Sequence, residues 1–134
     1  MSDSFLRELW EKREKENKPE TSPAFRVYQD IFEAVRGVPE LEKQRQALED
    51  SIINYYSCVK STSRVSAREG VDVGSLTRSD EVRTVAHDRV IDELNILSRM
   101  CVPNRRSNEW RRSVGDSRDQ IGEWAATVGK ELAE

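Results

Sequence analysis

Residues 39–68 read PELEKQRQALEDSIINYYSCVKSTSRVSAR, and within them Leu41, Leu48, Ile52, Tyr55, Tyr56 and Val59 keep to one stripe of a 3.6-residue period. Good helix formers fill the positions between, so this stretch is predicted to be a helix from Pro39 to about residue 68, long enough to be the spine of a bundle. Its Ser- and Thr-rich end, Ser57 to Ser66, is expected to fray or bend, because short hydroxyl side chains bond back to the backbone.

Upstream, Gly37 and Pro39 stop one helix and start the next. The preceding helix opens at Ser22-Pro23, a capping residue followed by proline in the first turn, and carries Phe25, Tyr28, Ile31, Phe32 and Val35 at helical spacing. The turn is short, so the neighbours should pack antiparallel. Further upstream, Phe5, Leu6, Leu9 and Trp10 share a face before the charges alternate from Glu11 to Glu16. They predict a helix over about 4–17 inside a peripheral segment, residues 1–20.

Downstream, residues 70–78 read as a connector with Gly70 and Gly74, and Ser79-Asp80-Glu81 as a helix start with acids at its positive end. That helix is predicted to reach about Met100. Residues 103–115 form a second connector with one helical turn around Trp110. A last helix begins at Asp116 or Ser117, where Ser117 and Gln120 have capping-box spacing, and buries Ile121, Trp124, Ala125, Val128 and Leu132. No strand alternation interrupts this pattern. The expected fold is all-α, an antiparallel bundle of about five helices forming one domain over residues 1–134.

Twenty-two Lys and Arg against 25 Asp and Glu give a net charge of −3, which excludes a uniformly basic nucleic-acid coat and leaves only local basic patches. No apolar run is long enough for a membrane span, and the N-terminus lacks a signal-peptide core, so a cytoplasmic location is expected. Cys58 and Cys101 read as reduced, buried thiols. With one His and no Cys-x-x-Cys, neither a metal site nor a cofactor is expected.

Three features could carry chemistry. On the helix predicted over 79–100, Val82, Ala86, Val90, Leu94, Leu97 and Cys101 form the core side; Arg83 falls in that sector and His87 at its edge. The expected outcome is structural, with Arg83 pairing an acid such as Glu49 or Asp50 and His87 making one hydrogen bond. A second stripe on the same helix holds Asp88, Asp92, Asn95 and Arg99, which could orient a partner's cationic side chain. Beyond it, Arg105, Arg106, Arg111, Arg112 and Arg118 with Trp110 stand against Glu109 and Asp116, a local balance of +3 that suits phosphate pairing and base stacking.

Arg83, His87-Asp88, Ile91-Asp92, Leu94-Asn95 and Leu97-Ser98-Arg99, together with Gly115-Asp116, Arg118, Ile121-Gly122 and Trp124-Ala125, resemble a family of small, uncharacterised bacterial and phage-associated helical proteins. The likeness spans roughly residues 80–132, and Ser98 departs from it where an Asn is common. It implies a compact all-helical fold and marks positions without assigning an activity. Arg83 and His87 are also similar to the Arg and His of small helical ribonucleases. Here only three residues intervene, where four to six are usual, and Thr84 replaces the polar neighbour of the Arg.

From the sequence the expected function is therefore a non-enzymatic helical module for protein interaction or regulation, binding a protein partner or itself through Asp88, Asp92, Asn95, Arg99 and the Arg-rich loop. Nucleic-acid binding through residues 105–118 is the alternative, and a ribonuclease using Arg83, His87 and Asp88 ranks third.

Overall fold

The computed structural model describes residues 22–67 and 73–133; the helix expected over 4–17 and residues 70–72 of the expected connector lie outside them. Among the described residues five helices follow in order: α1 (Pro23–Ala34), α2 (Pro39–Ala67), α3 (Val73–Cys101), α4 (Trp110–Val114) and α5 (Arg118–Ala133). No strand occurs among the described residues, and the chain is all-α.

α1 begins as its sequence dictates. Ser22 Oγ accepts from Phe25 N at 3.2 Å, Pro23 takes the first helical position, and Gly37 ends the turn beyond it at φ +83°, a backbone shape that a Cβ would strain. α2 and α3 lie antiparallel along each other. Gln44, early in α2, donates to the Glu93 carboxylate late in α3 at 2.6 Å, while Thr62 and Ser79 at the opposite ends share a hydroxyl hydrogen bond of 3.0 Å.

That last bond explains one departure from expectation. Ser79 does not cap a helix: its hydroxyl is turned across to α2, and α3 starts six residues earlier, at Val73. The predicted connector at 70–78 is correspondingly shorter. A second departure concerns the core stripe of α3, which runs through Ala86, Val90, Leu94, Leu97 and Cys101 but leaves Val82 59% exposed.

α5 closes the bundle. Gly122 and Gly129 stand two turns apart and let its backbone lie against α2, where a Cβ on Gly129 would come within 2.6 Å of the Tyr56 Cβ. Across the other side, Trp124 Nε1 donates to Ala24 O at 3.0 Å and Ser22 N donates to Glu131 at 3.3 Å, tying α5 to the start of α1.

A charged cluster sits inside this apolar frame. Arg45 and Glu49, one turn apart on α2, are 1% and 0% exposed and paired at 3.3 Å. The Tyr28 hydroxyl joins them, donating to Glu49 at 2.7 Å and accepting from Arg45 at 2.8 Å, and the Arg45 guanidinium lies 5.1 Å from the centre of the Phe32 ring. Burial is the main reason the Tyr28 hydroxyl is held well above its usual pKa.

Candidate functional site

The polar residues singled out on α3 meet the start of α5. His87 Nε2 lies 2.8 Å from the carbonyl oxygen of Arg118; a carbonyl can only accept, so Nε2 carries the proton and donates. The other ring nitrogen, Nδ1, is left as an acceptor 3.5 Å from the Arg118 guanidinium. The same guanidinium pairs with Asp88, one residue along α3 from His87. Tyr55 of α2 backs the imidazole, its ring 5.3 Å away and tilted by 50°.

Only glycine permits this closeness. A Cβ on Gly122 would stand 2.7 Å from His87 Nε2 and 3.2 Å from the Tyr55 hydroxyl. The result is a cleft of about 500 Å³ bordered by Tyr55, Arg83, His87, Arg118 and Gly122.

Arg83 enters this cleft but does not reach Glu49 or Asp50. Glu49 is already committed to Tyr28 and Arg45, and Arg83 instead pairs at 2.7 Å with Asp80 on its own helix. The hydrogen bond that Arg83 donates to Asp80 chiefly raises the Arg83 pKa above its ordinary value, with a smaller contribution from Tyr55. His87 is hydrogen-bonded through Nε2 and Arg83 is bound to Asp80, while the carboxylates of Asp119 and Glu123 also line the cleft. The side chains spend their chemistry on joining α2, α3 and α5.

The second α3 stripe meets the Arg-rich segment. Arg111 donates through Nε to Asn95 Oδ1 at 3.0 Å and through its guanidinium to Gly115 O at 2.7 Å, while Asn108 donates to Ser98 O at 3.4 Å. Two surfaces that the sequence suggested separately are thus partly each other's partner. Asp92 and Arg99 remain exposed, as do Arg105, Arg106 and Arg112.

Trp110 corrects the expected list of binding residues. It is 4% exposed, packed in the core with its indole donating to Ser107 O at 2.9 Å, so it offers no ring face to a base or a partner. The turn that ends α3 uses the backbones of its neighbours: Arg105, at φ +54°, donates to Val102 O at 3.1 Å, and Arg106 donates to Cys101 O at 2.9 Å.

Sequence reasoning missed two participants in the site and one buried ion pair outside it. Tyr55 was assigned only to the apolar stripe, and Gly122 only to a resemblance. The Arg45–Glu49 pair could have been found, since both residues fall on the stripe of Leu41, Leu48 and Ile52.

The opposite side of α3 has the reverse character. Val82 and Val85 are 59% and 70% exposed, neighbours on the helix surface beside a groove of about 680 Å³ between α2 and α3. Ala47, Ser51, Asn54 and Ala86 form its floor and walls, with Asp50, Glu81 and Arg89 at the rim.

Among the described residues no three His, Cys, Asp or Glu side chains cluster as metal ligands would, and no helix is long and apolar enough to cross a membrane. Comparison with protein-family models, curated proteins and solved structures gives no match.

Proposed function

We propose that this chain is a non-enzymatic helical module for protein interaction or regulation, and that its working surface is the outer face of α3 with the adjoining α2–α3 groove. The observation that carries this reading is the paired exposure of Val82 and Val85, at 59% and 70%, beside that groove. Single exposed valines are common, but two that adjoin one another at a groove with a charged rim resemble an interface core in its polar surround.

The polar stripe is a weaker choice of surface because Asp88 and Asn95 are already used by Arg118 and Arg111. The same spending argues against a nucleic-acid surface of five arginines, and the burial of Trp110 removes its stacking partner. It argues equally against hydrolysis at His87. The resemblance to small bacterial and phage-associated helical proteins fits this view, since the residues that carry it at His87, Asp88, Arg118 and Gly122 hold two helices together. A cytoplasmic location goes with the reading and is supported by the free thiols of Cys58 and Cys101.

Site-specific photo-crosslinking in the protein's own cells tests the proposal. A crosslinker in place of Val85 should give a discrete protein adduct that disappears when Val82→Asp is added, and one in place of exposed Lys130 should not. No adduct specific to Val85, or one indifferent to Val82→Asp, would overturn it.

A further inference from the structure

Around the exposed face of α3 the charges form an ordered series. Arg78, Val82, Val85, Arg89 and Asp92 follow one another at steps of four, three, four and three, with Glu81 alongside, and all six are exposed. Such a 4-3 alternation is the seam spacing of paired helices, and the six positions fall within about 100° of arc.

The signs are antisymmetric about Val85. Glu81 and Arg89 stand four residues to either side of it, and Arg78 and Asp92 seven to either side, each pair of opposite charge. An antiparallel pairing of two such helices with Val85 on the two-fold axis therefore sets Glu81 against Arg89 of the second copy, and Arg78 against Asp92 of the second copy. Every facing charge meets its opposite.

Other pairings of the same face are penalised. A parallel alignment puts each charge opposite itself. An antiparallel register with Val82 opposite Val85 of the second copy sets Arg78 against Arg89, again like against like. Like-charge encounters across an interface repel, so the pattern favours one orientation and one register.

We infer that the partner of this surface is a second copy of the chain, docked as an antiparallel α3–α3 pair centred on Val85. This rests on the interaction reading above and names its partner. The three-methylene stem of Arg89 can cover Val82 of the second copy while its guanidinium pairs with Glu81. Arg89 makes a long pair of 3.5 Å to Glu93 with its own side chain 69% exposed, so it can turn to that task at little cost. The isologous geometry closes on itself, giving a dimer rather than a filament.

The test is a charge exchange read by sedimentation across a concentration series of the full chain. The native protein should dimerise in the micromolar range. Glu81→Arg and Arg89→Glu should each weaken the dimer by about tenfold or more, and the double variant Glu81→Arg/Arg89→Glu should restore it to within about threefold, because the exchange re-creates the same pairs in mirror order. Val85→Asp should abolish dimerisation while leaving the helical circular dichroism and its melting curve unchanged.

A native protein that stays monomeric at several hundred micromolar would overturn the self-pairing. So would a dimer indifferent to Val85→Asp, or single-charge defects that the double variant fails to repair. A monomer that still gives a Val85-specific crosslink to a different protein would leave the interaction reading standing; a monomer with no such crosslink would remove both.

Discussion

Toward α5, helix α3 presents His87 and Asp88, and toward solvent it presents Val82 and Val85. The side that looks chemical in the sequence is joined by hydrogen bonds to α5, while Val82, alone of the expected core stripe, faces water beside Val85. Polar residues placed between helices are consumed in orienting them, since each buried donor or acceptor must find a partner. Apolar residues left outside have no such debt to the fold and are free to serve another molecule. In the interaction reading proposed above, the apolar pair left outside the α3 core is a better guide to the working surface than the polar stripe.

The Tyr28–Arg45–Glu49 cluster marks the far end of that contrast, and disturbing it should have the largest effect. Arg45→Ala strands the fully buried Glu49 carboxylate and is expected to cost about 3–5 kcal/mol in chemical denaturation, whereas the joint change Arg45→Met/Glu49→Leu should cost far less. A loss below about 1 kcal/mol for Arg45→Ala would mean that the cluster relaxes into solvent.

Next in size is a dependence on alkaline pH. The folded state holds Tyr28 well above the usual tyrosine pKa of 10.0, so folded chains retain a proton that unfolded chains lose. Stability from this group is complete below pH 10 and should decline as pH rises beyond it, by up to about 1.4 kcal/mol per pH unit. Denaturation series at rising pH should show this component in the native chain and lack it in Tyr28→Phe.

At the α3–α5 junction, Gly122→Ala pushes a methyl to 2.7 Å from His87 Nε2, so the imidazole must swing off the Arg118 carbonyl. A loss of about 1–3 kcal/mol is expected. His87→Ala added to Gly122→Ala should return part of it, because the space the ring vacates accepts the methyl; strict additivity in that cycle would separate the two residues.

The smallest effect belongs to the outermost bond of the junction. Arg118 and Asp88 are 60% and 49% exposed, so Asp88→Ala should cost under about 1 kcal/mol, and less as salt is raised. A larger, salt-independent loss would show that the contrast between the junction and the outer face is sharper than exposure alone suggests.

Helix identities and most ends were legible because local signals were strong. Ser22-Pro23, Gly37 and Pro39 bracket α1, and the apolar period of 39–68 carries α2 to Ala67. The start of α3 was misread because Ser79 followed by two acids has the composition of a cap; only the position of Thr62 on a neighbouring helix diverts its hydroxyl. The junction was half legible. Arg83 and His87 fall in the right sector of α3, but their partners Asp80 and Arg118 depend on rotamers and on the approach of α5. Val82 looked like core because the period of α3 admits it, but it borders the open α2–α3 groove beside Val85.

The two bonds that tie α5 to the start of α1 join residues 109 and 100 positions apart. A chain made from its N-terminus must therefore expose the flank of Tyr55 and Tyr56 until α5 has been made. The clasp cannot close before α5 follows α1, α2 and α3 in the chain, so the search implied by so distant a closure falls on the last of these helices to be made.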